Sequence, residues 1–210
     1  MTDKEFNELF AHGRNDEGRN RFLYSVAESQ LRALFGKELK LLKEGNRIDI
    51  VSVEKELTYT MGDGVVLSGR VDRVDRLNGV LRIIDYKTGS LKAEEIAAKG
   101  TAEADMRLPG KWLQLMWYAL LYCRTKHPAK KVKSGIYPLR NFRSDVRMAT
   151  WNTDDGSAPE EVTPEKLNRF EDLLREKINE LMNQDIPFVA TPSDNSCRYC
   201  PVKAFCESTN

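Results

Sequence analysis

Apolar and polar positions along the chain switch between a helical and a strand period. From about Asp16 to Glu44, Leu23, Val26, Ala27, Leu31, Leu34 and Phe35 recur at helical spacing, with Gly36 as a break and Gly45 as the end. This predicts an amphipathic helix or helix pair. In "IDIVSVEKELTYTM" the period becomes two, with Val51, Val53, Leu57 and Tyr59 on one side of a strand and Ser52, Glu54, Glu56 and Thr58 on the other. Gly62 and Gly64 turn this strand into "SGRVDRVDRLNGVLRIIDYKTGS", two further β runs around Asn78-Gly79. A polar, Ala-rich segment from Gly89 to about Leu108 reads as a mobile loop beside a site. Pro109 opens "GKWLQLMWYALLYC", apolar around its whole circumference and therefore a largely buried helix. "VKSGIYPLR" and "DVRMATWN" read as strands, the first ending or lying at a sheet edge because Pro138 lacks an N–H. Thr163-Pro164 caps a last amphipathic helix carrying Leu167, Phe170, Leu174, Ile178 and Leu181. The whole is an α/β pattern.

Composition narrows this picture. A chain of 210 residues, 40% hydrophobic and 31% charged, buries a substantial core in one domain, or in one domain with an appendage. The net charge of +1 excludes a globally basic nucleic-acid protein and leaves room for a local basic face. No stretch has the apolar length of a membrane span, and the polar start "MTDKEFNELF" lacks the core of a signal peptide, so a cytoplasmic protein is expected. Of the cysteines Cys123, Cys197, Cys200 and Cys206, the last three crowd together. That suggests a local metal or cluster site rather than a disulfide framework.

The chemistry is concentrated in the hairpin. If Asn78-Gly79 forms a two-residue type I′ turn, Leu77 sits opposite Val80, and the same register carried back puts Asp72 opposite Asp85. Directly opposed residues have Cβ atoms about 4.5–5.5 Å apart, where two like charges destabilise the pair unless something compensates. A divalent cation would compensate. Alternation puts Lys87 on the face of Asp85, which continues through Leu81, Ile83 and Val74 into the core. Asp72, Asp85 and the main-chain carbonyl of Tyr86 then make a partial oxygen coordination sphere for Mg²⁺ or Mn²⁺, with Lys87 placed to orient or deprotonate the attacking water. The plainer reading is a solvated strand end, of which Asp75 opposite Arg82 would be a cross-strand example.

At these residues the chain resembles the PD-(D/E)XK nucleases of the RecB/AddB type. "GRVDRVD", "IIDYKTG" and "QLMWY" match, in order, that family's GxxD strand, DYKT strand and QxxxY helix. The resemblance implies a restriction-endonuclease-like core, a mixed β-sheet flanked by helices. Its expected parts are an N-terminal helical region (1–47), a catalytic sheet with the QxxxY helix (48–151), and a C-terminal helix with a cysteine tail (152–210). It implies Mg²⁺- or Mn²⁺-dependent hydrolysis of DNA, as an exonuclease acting on ends or single strands in recombination and repair. Asp72, Asp85 and Lys87 take the metal-binding and catalytic positions. Glu54 takes that of an upstream catalytic glutamate, with Glu56 as its substitute. Gln114 and Tyr118, at i and i+4, would present an amide and a phenol to one phosphate or base, or would be satisfied polar groups of a buried helix. A metal-binding histidine on an early helix has only His12 as a counterpart, which reads as a surface residue. That departure suggests either a fragment of a longer helicase-nuclease, with a helicase as partner, or a branch that manages without the first motif.

"CRYCPVKAFC" resembles the part of the family that holds a [4Fe-4S] cluster. Cys197, Cys200 and Cys206 supply three ligands, and zinc with a non-cysteine fourth ligand or plain reduced thiols are the alternatives. Cys123, in an apolar helix, reads as a core residue. Arg70, Arg73, Arg76, Lys92, Lys111, Arg140 and Arg143 are candidate phosphate contacts, while Trp112 and Trp117 read first as core. The competing functional class is a catalytically silent DNA-binding or scaffolding domain that retains the fold.

Overall fold

The structure, a computed structural model, describes residues 18–62, 64–98, 108–126, 132–140, 145–152 and 157–187, together with Cys197, Cys200, Pro201, Lys203 and Ala204. It divides into two compact units, Met1–Phe170 and Glu171–Asn210. His12, Arg143 and Cys206 lie outside the described residues.

The first unit is built on a six-stranded mixed sheet. Helix α1 (Gly18–Lys43) precedes β1 (Ile48–Thr60), β2 (Val66–Leu77) and β3 (Val80–Lys87). A 3-10 turn (Ala93–Ile96) and β4 (Ala97–Ala98) lead towards α2 (Gly110–Lys126), β5 (Val132–Pro138), β6 (Arg147–Met148), β7 (Thr150–Trp151) and β8 (Glu161–Val162). The strand order is β1-β2-β3-β5-β6, with β8 also pairing with β5. The β3–β5 pair is parallel, and the other pairs of this sheet are antiparallel. The mixed α/β architecture expected from the sequence is therefore present.

The hairpin forms as its turn residues dictate. Asn78 and Gly79 have φ of +52° and +84°, the pair of left-handed values a type I′ turn needs. Leu77 pairs with Val80, and the register runs unbroken to Arg73 opposite Ile84. The turn is docked as well: the Asn78 side chain accepts from Arg47 N at 2.9 Å, and Asn78 N donates to the Arg47 carbonyl at 2.9 Å.

Helices cover the two faces of the sheet. On one face, Ser134 Oγ donates to the Leu115 carbonyl of α2 at 2.9 Å and Trp117 Nε1 to the Ser68 carbonyl at 3.1 Å. Gly69 permits this approach, since a Cβ there would stand 3.0 Å from Leu121 Cδ1. On the other face, Leu34 of α1 packs with Ile84 and Tyr137. Gly135, beside Ile84 in register, is required by β6, because a Cβ would meet the Arg147 carbonyl oxygen at 2.6 Å.

Three local expectations change. α1 runs without a break through Gly36, so the helix-pair alternative falls: one poor helix former in an otherwise favourable run does not stop a helix of 26 residues. β1 is an edge strand with a register irregularity between Ile50 and Ser52. Val51 and Val53 are 39% and 63% exposed, and of the four apolar side chains expected on one face only Leu57 is buried. Asp75 and Arg82 are not a solvated pair, as described below. Pro138 ends β5, as its missing N–H requires. Pro164 opens the last helix, α3 (Pro164–Met182), with Lys166 N donating to Thr163 Oγ1 at 3.4 Å.

Candidate active site

Strand alternation sends Asp85 and Lys87 to the α2 face, because Ile83 is level with Ser134, whose hydroxyl bonds α2. Asp85 is 2% exposed. Lys87 Nζ donates to its Oδ1 at 3.2 Å and stands 3.0 Å from its Oδ2 without hydrogen-bond alignment, so Oδ2 has no hydrogen-bond partner among the described residues. Burial raises the Asp85 pKa above the carboxylate range. Lys87 opposes that shift, and the charge of Asp72 adds to it. The two carboxylates therefore share one electrostatic site.

Asp72 reaches this site in its own way. The hydrogen-bonded ladder between β2 and β3 stops at Arg73/Ile84, one step short of an Asp72/Asp85 pair. In place of ladder pairing, Asp72 Oδ2 accepts from Tyr86 N at 2.8 Å. The N–H and C=O of a strand residue point to the same side, so the Tyr86 carbonyl also faces the gap beside Asp72. The Lys87 carbonyl turns the other way, accepting from Leu139 N at 2.8 Å. The gap coincides with a change of phase in β2. A Cβ on Gly69 would point at α2, yet Arg73, of the same parity, bonds Glu38 on α1. Between the pairs Val53/Arg73 and Lys55/Val71 stands Glu54, with a left-handed φ of +47°.

The fit to a divalent cation rests on these atoms. Asp72, Asp85 and Lys87 carry one net negative charge, and the buried Oδ2 of Asp85 lacks a hydrogen-bond donor. Carboxylate and carbonyl oxygens together are the donor set that hard cations prefer. Among the described residues no group of three His, Cys, Asp or Glu side chains converges, so a cation here would have two carboxylates and a main-chain oxygen to bind. Glu54 stands apart: it is exposed and pairs with Arg70 at 3.1 Å. Glu56 is likewise exposed, next to Arg70 in register.

Gln114 and Tyr118 share a face of α2, as their spacing predicts, and bond each other, with Gln114 Nε2 donating to the Tyr118 hydroxyl at 2.9 Å. The helix start is held near the end of β3: Lys111 Nζ donates to the Ser90 carbonyl at 3.0 Å and to Glu95 Oε1 at 2.7 Å, and this bond holds the Glu95 carboxyl below its usual range. Trp112 is fully buried, edge-on to Trp151 and Phe170, and is a core residue. Of the cationic candidates, Arg76, Lys92 and Arg140 are exposed, as is Arg70. Arg73 is buried and does not offer itself to a phosphate.

That last correction exposes a feature the linear reading missed. Behind the carboxylate pair, on the α1 face, Asp75 is wholly buried and accepts from Arg73 Nε at 2.8 Å and from Arg82 Nε and Nη2 at 2.7 and 2.8 Å. Arg73 Nη1 also bonds Glu38 and donates to the Tyr86 hydroxyl at 3.3 Å. Burial works against the Arg73 charge, but Tyr86, Asp75 and Glu38 outweigh it and keep the guanidinium charged. The hairpin register paired Asp75 with Arg82 correctly but gave no sign of their burial. Nothing local could have flagged Glu38, which lies 35 residues before Arg73. A cavity of about 860 Å³ opens on this same face, lined by Arg73, Asp75, Arg82 and Tyr86 and by α1 residues, and not by Asp85 or Lys87.

In the second unit, Cys200 N donates to the Cys197 carbonyl at 3.2 Å and Lys203 N to the Cys200 carbonyl at 3.3 Å, a turn-like geometry that brings these two cysteines together. Burial pushes the half-buried Cys123 thiol up to about 11, which favours its protonated form. Among the described residues, no helix is long and apolar enough to cross a membrane.

Comparison with known proteins bears on the whole chain. It is 24% identical over 189 residues to "Gene 69 protein" of Mycobacterium phage D29, which covers 87% of this chain; the chain spans 58% of that relative's length. A solved structure, "Crystal structure of SSO0001", aligns over 99% of this chain and 81% of its own with 12% identity and a TM-score of 0.35. The family model described as PD-(D/E)XK nuclease superfamily matches residues 1–207, with the carboxylate pair, the lysine and both flanking helices inside the match, and the chain belongs to that superfamily.

Proposed function

We propose that this chain is a Mg²⁺- or Mn²⁺-dependent deoxyribonuclease of the RecB/AddB type, an exonuclease acting in DNA recombination and repair. The observation that carries the reading is the juxtaposition of Asp72 with a buried Asp85 whose Oδ2 lacks a hydrogen-bond donor, and with Lys87 beside it. Asp72, Asp85 and the Tyr86 carbonyl would hold the cation. The cation would supply charge neutralisation at the scissile phosphate and make the attacking water easier to ionise. Lys87, 30% exposed at its side chain and pre-oriented by Asp85, orients that water for in-line attack. Gln114 and Tyr118, already bonded to each other, present their remaining polar atoms to the DNA. The order of the three motifs supports the RecB/AddB type, and with it a helicase partner and, where a fourth ligand joins Cys197, Cys200 and Cys206, a [4Fe-4S] cluster.

The test is incubation of end-labelled single- and double-stranded DNA with Mg²⁺, Mn²⁺ or EDTA, for wild type, Asp85→Ala and Lys87→Ala. Metal-dependent cleavage by wild type alone is the expected result. Binding without cleavage in every lane would select the silent DNA-binding domain instead. Anaerobic purification with an absorption spectrum and iron assay checks the cluster, and a colourless, iron-free, folded protein would remove it.

A further inference from the structure

Two buried ionic clusters lie back to back on the same two strands, and they are linked through adjacent residues. Asp72 belongs to the front cluster and its neighbour Arg73 to the back one, while Tyr86 stands between Asp85 and Lys87 with its ring on the back face. The β2–β3 ladder has ended by this point, so main-chain pairing no longer sets the separation of the strands. Two side-chain ties take its place. On the front, Asp72 Oδ2 accepts from Tyr86 N at 2.8 Å, and on the back, Arg73 Nη1 donates to the Tyr86 hydroxyl at 3.3 Å.

From this geometry we infer that Arg73, locked by Asp75 and Glu38, is a positioning residue that acts through Tyr86 to set the spacing of the Asp72 and Asp85 carboxylates. The guanidinium has little freedom. Its Nε is committed to Asp75, whose other oxygen is taken by Arg82, and its Nη1 is shared between Glu38 and Tyr86. Arg suits this role because its planar fork fixes several acceptors at once, whereas a Lys ammonium would hold one or two without fixing their angles. A tie of this kind acts on metal-binding oxygens as outer-shell partners do, by restricting where the ligands can stand. Through Glu38 the same tie reaches α1, so the helix covering the back of the sheet takes part in placing carboxylates on its front.

The inference rests on the proposed metal-dependent cleavage, and the experiment separates the two. Mn²⁺ binding by the full chain is measured by calorimetry, and cleavage kinetics in parallel, for wild type, Tyr86→Phe, Arg73→Lys and the double variant. Tyr86→Phe keeps the ring and loses only the hydroxyl, so it leaves the core packing in place. Its expected effect is about a 10-fold loss of Mn²⁺ affinity and a fall in kcat, with KM for DNA and the thermal midpoint unchanged. The double variant should lose no more Mn²⁺ affinity than Arg73→Lys alone, because both changes cut the same tie. Wild-type affinity and kcat in Tyr86→Phe, or independent additive losses in the double variant, would overturn the positioning role while leaving the nuclease reading intact. A wild-type chain that neither binds Mn²⁺ nor cleaves DNA would overturn both.

Discussion

The two faces of the β2–β3 hairpin carry ionic clusters that differ in charge balance and in access to solvent. On the back, Arg73 and Arg82 balance Asp75 and Glu38, and both Asp75 oxygens accept hydrogen bonds, while Arg73 Nη2 stands 2.7 Å from Asp75 Oδ2 without hydrogen-bond alignment. On the front, Asp85 is as deeply placed, yet one of its oxygens lacks a donor and the charges sum to minus one. Buried charge is tolerated when it is balanced, and the uncompensated negative charge of the front cluster is what a bound cation would offset. Hydrogen-bond satisfaction does not separate the two faces, since each has one buried polar atom without a partner; net charge does. The back cluster resembles the core of a machine part, and the front one resembles its socket.

The largest expected effect tests the socket. Asp85→Ala should lower Mg²⁺-dependent cleavage on the order of 10³-fold without lowering the thermal midpoint, a contrast read by pairing an end-label assay with calorimetric melting. Asp75→Ala should do the reverse first. Leaving two guanidiniums buried without their carboxylate costs about 3–5 kcal/mol, seen as a lower denaturant midpoint. Equal stability losses for the two substitutions would erase the distinction between the faces. Next in size, Lys87→Ala should cost about 100-fold in kcat while Mn²⁺ affinity holds, since in the proposed reading the amine orients water and holds no metal.

A pH test sharpens the same contrast. Burial raises the Asp85 pKa, so the folded chain holds that proton more tightly than the unfolded one. Stability therefore falls as pH rises from the ordinary carboxylate range through the raised value, and stays lower above it. Asp85→Asn should raise the metal-free thermal midpoint by a few degrees near neutral pH, with the gain vanishing in acid, where the wild-type group is protonated in both states. The smallest effect concerns the kink between the faces. Glu54→Gly should stabilise by about 0.5–1 kcal/mol, because glycine accepts a positive φ that a side chain resists; a destabilised variant would mean the Glu54–Arg70 pair matters more than the strain.

Much of the site was legible along the chain because it is encoded at short range. Asn78-Gly79 specifies a turn, the turn specifies a register, and period-two alternation then assigns Asp85 and Lys87 to one face. Gln114 and Tyr118 meet because four residues make about one helical turn. The same logic overreached at Asp72, where ladder pairing with Asp85 gives way to a side-chain bond on Tyr86 N. It also overreached at Val51 and Val53, which lie exposed on an edge strand. Arg73 and Arg82 looked like surface cations because charge alone does not reveal burial.

The sequence by itself determined the hairpin, its turn and the identity of the two aspartates and the lysine, since each depends on contacts only a few residues apart. Tertiary structure alone decided that Glu38, 35 residues upstream of Arg73, would complete the back cluster, and that Asp85 would be buried with an oxygen to spare. Those outcomes depend on which helix covers which face of the sheet, and that is a property of long-range packing which no local spacing records.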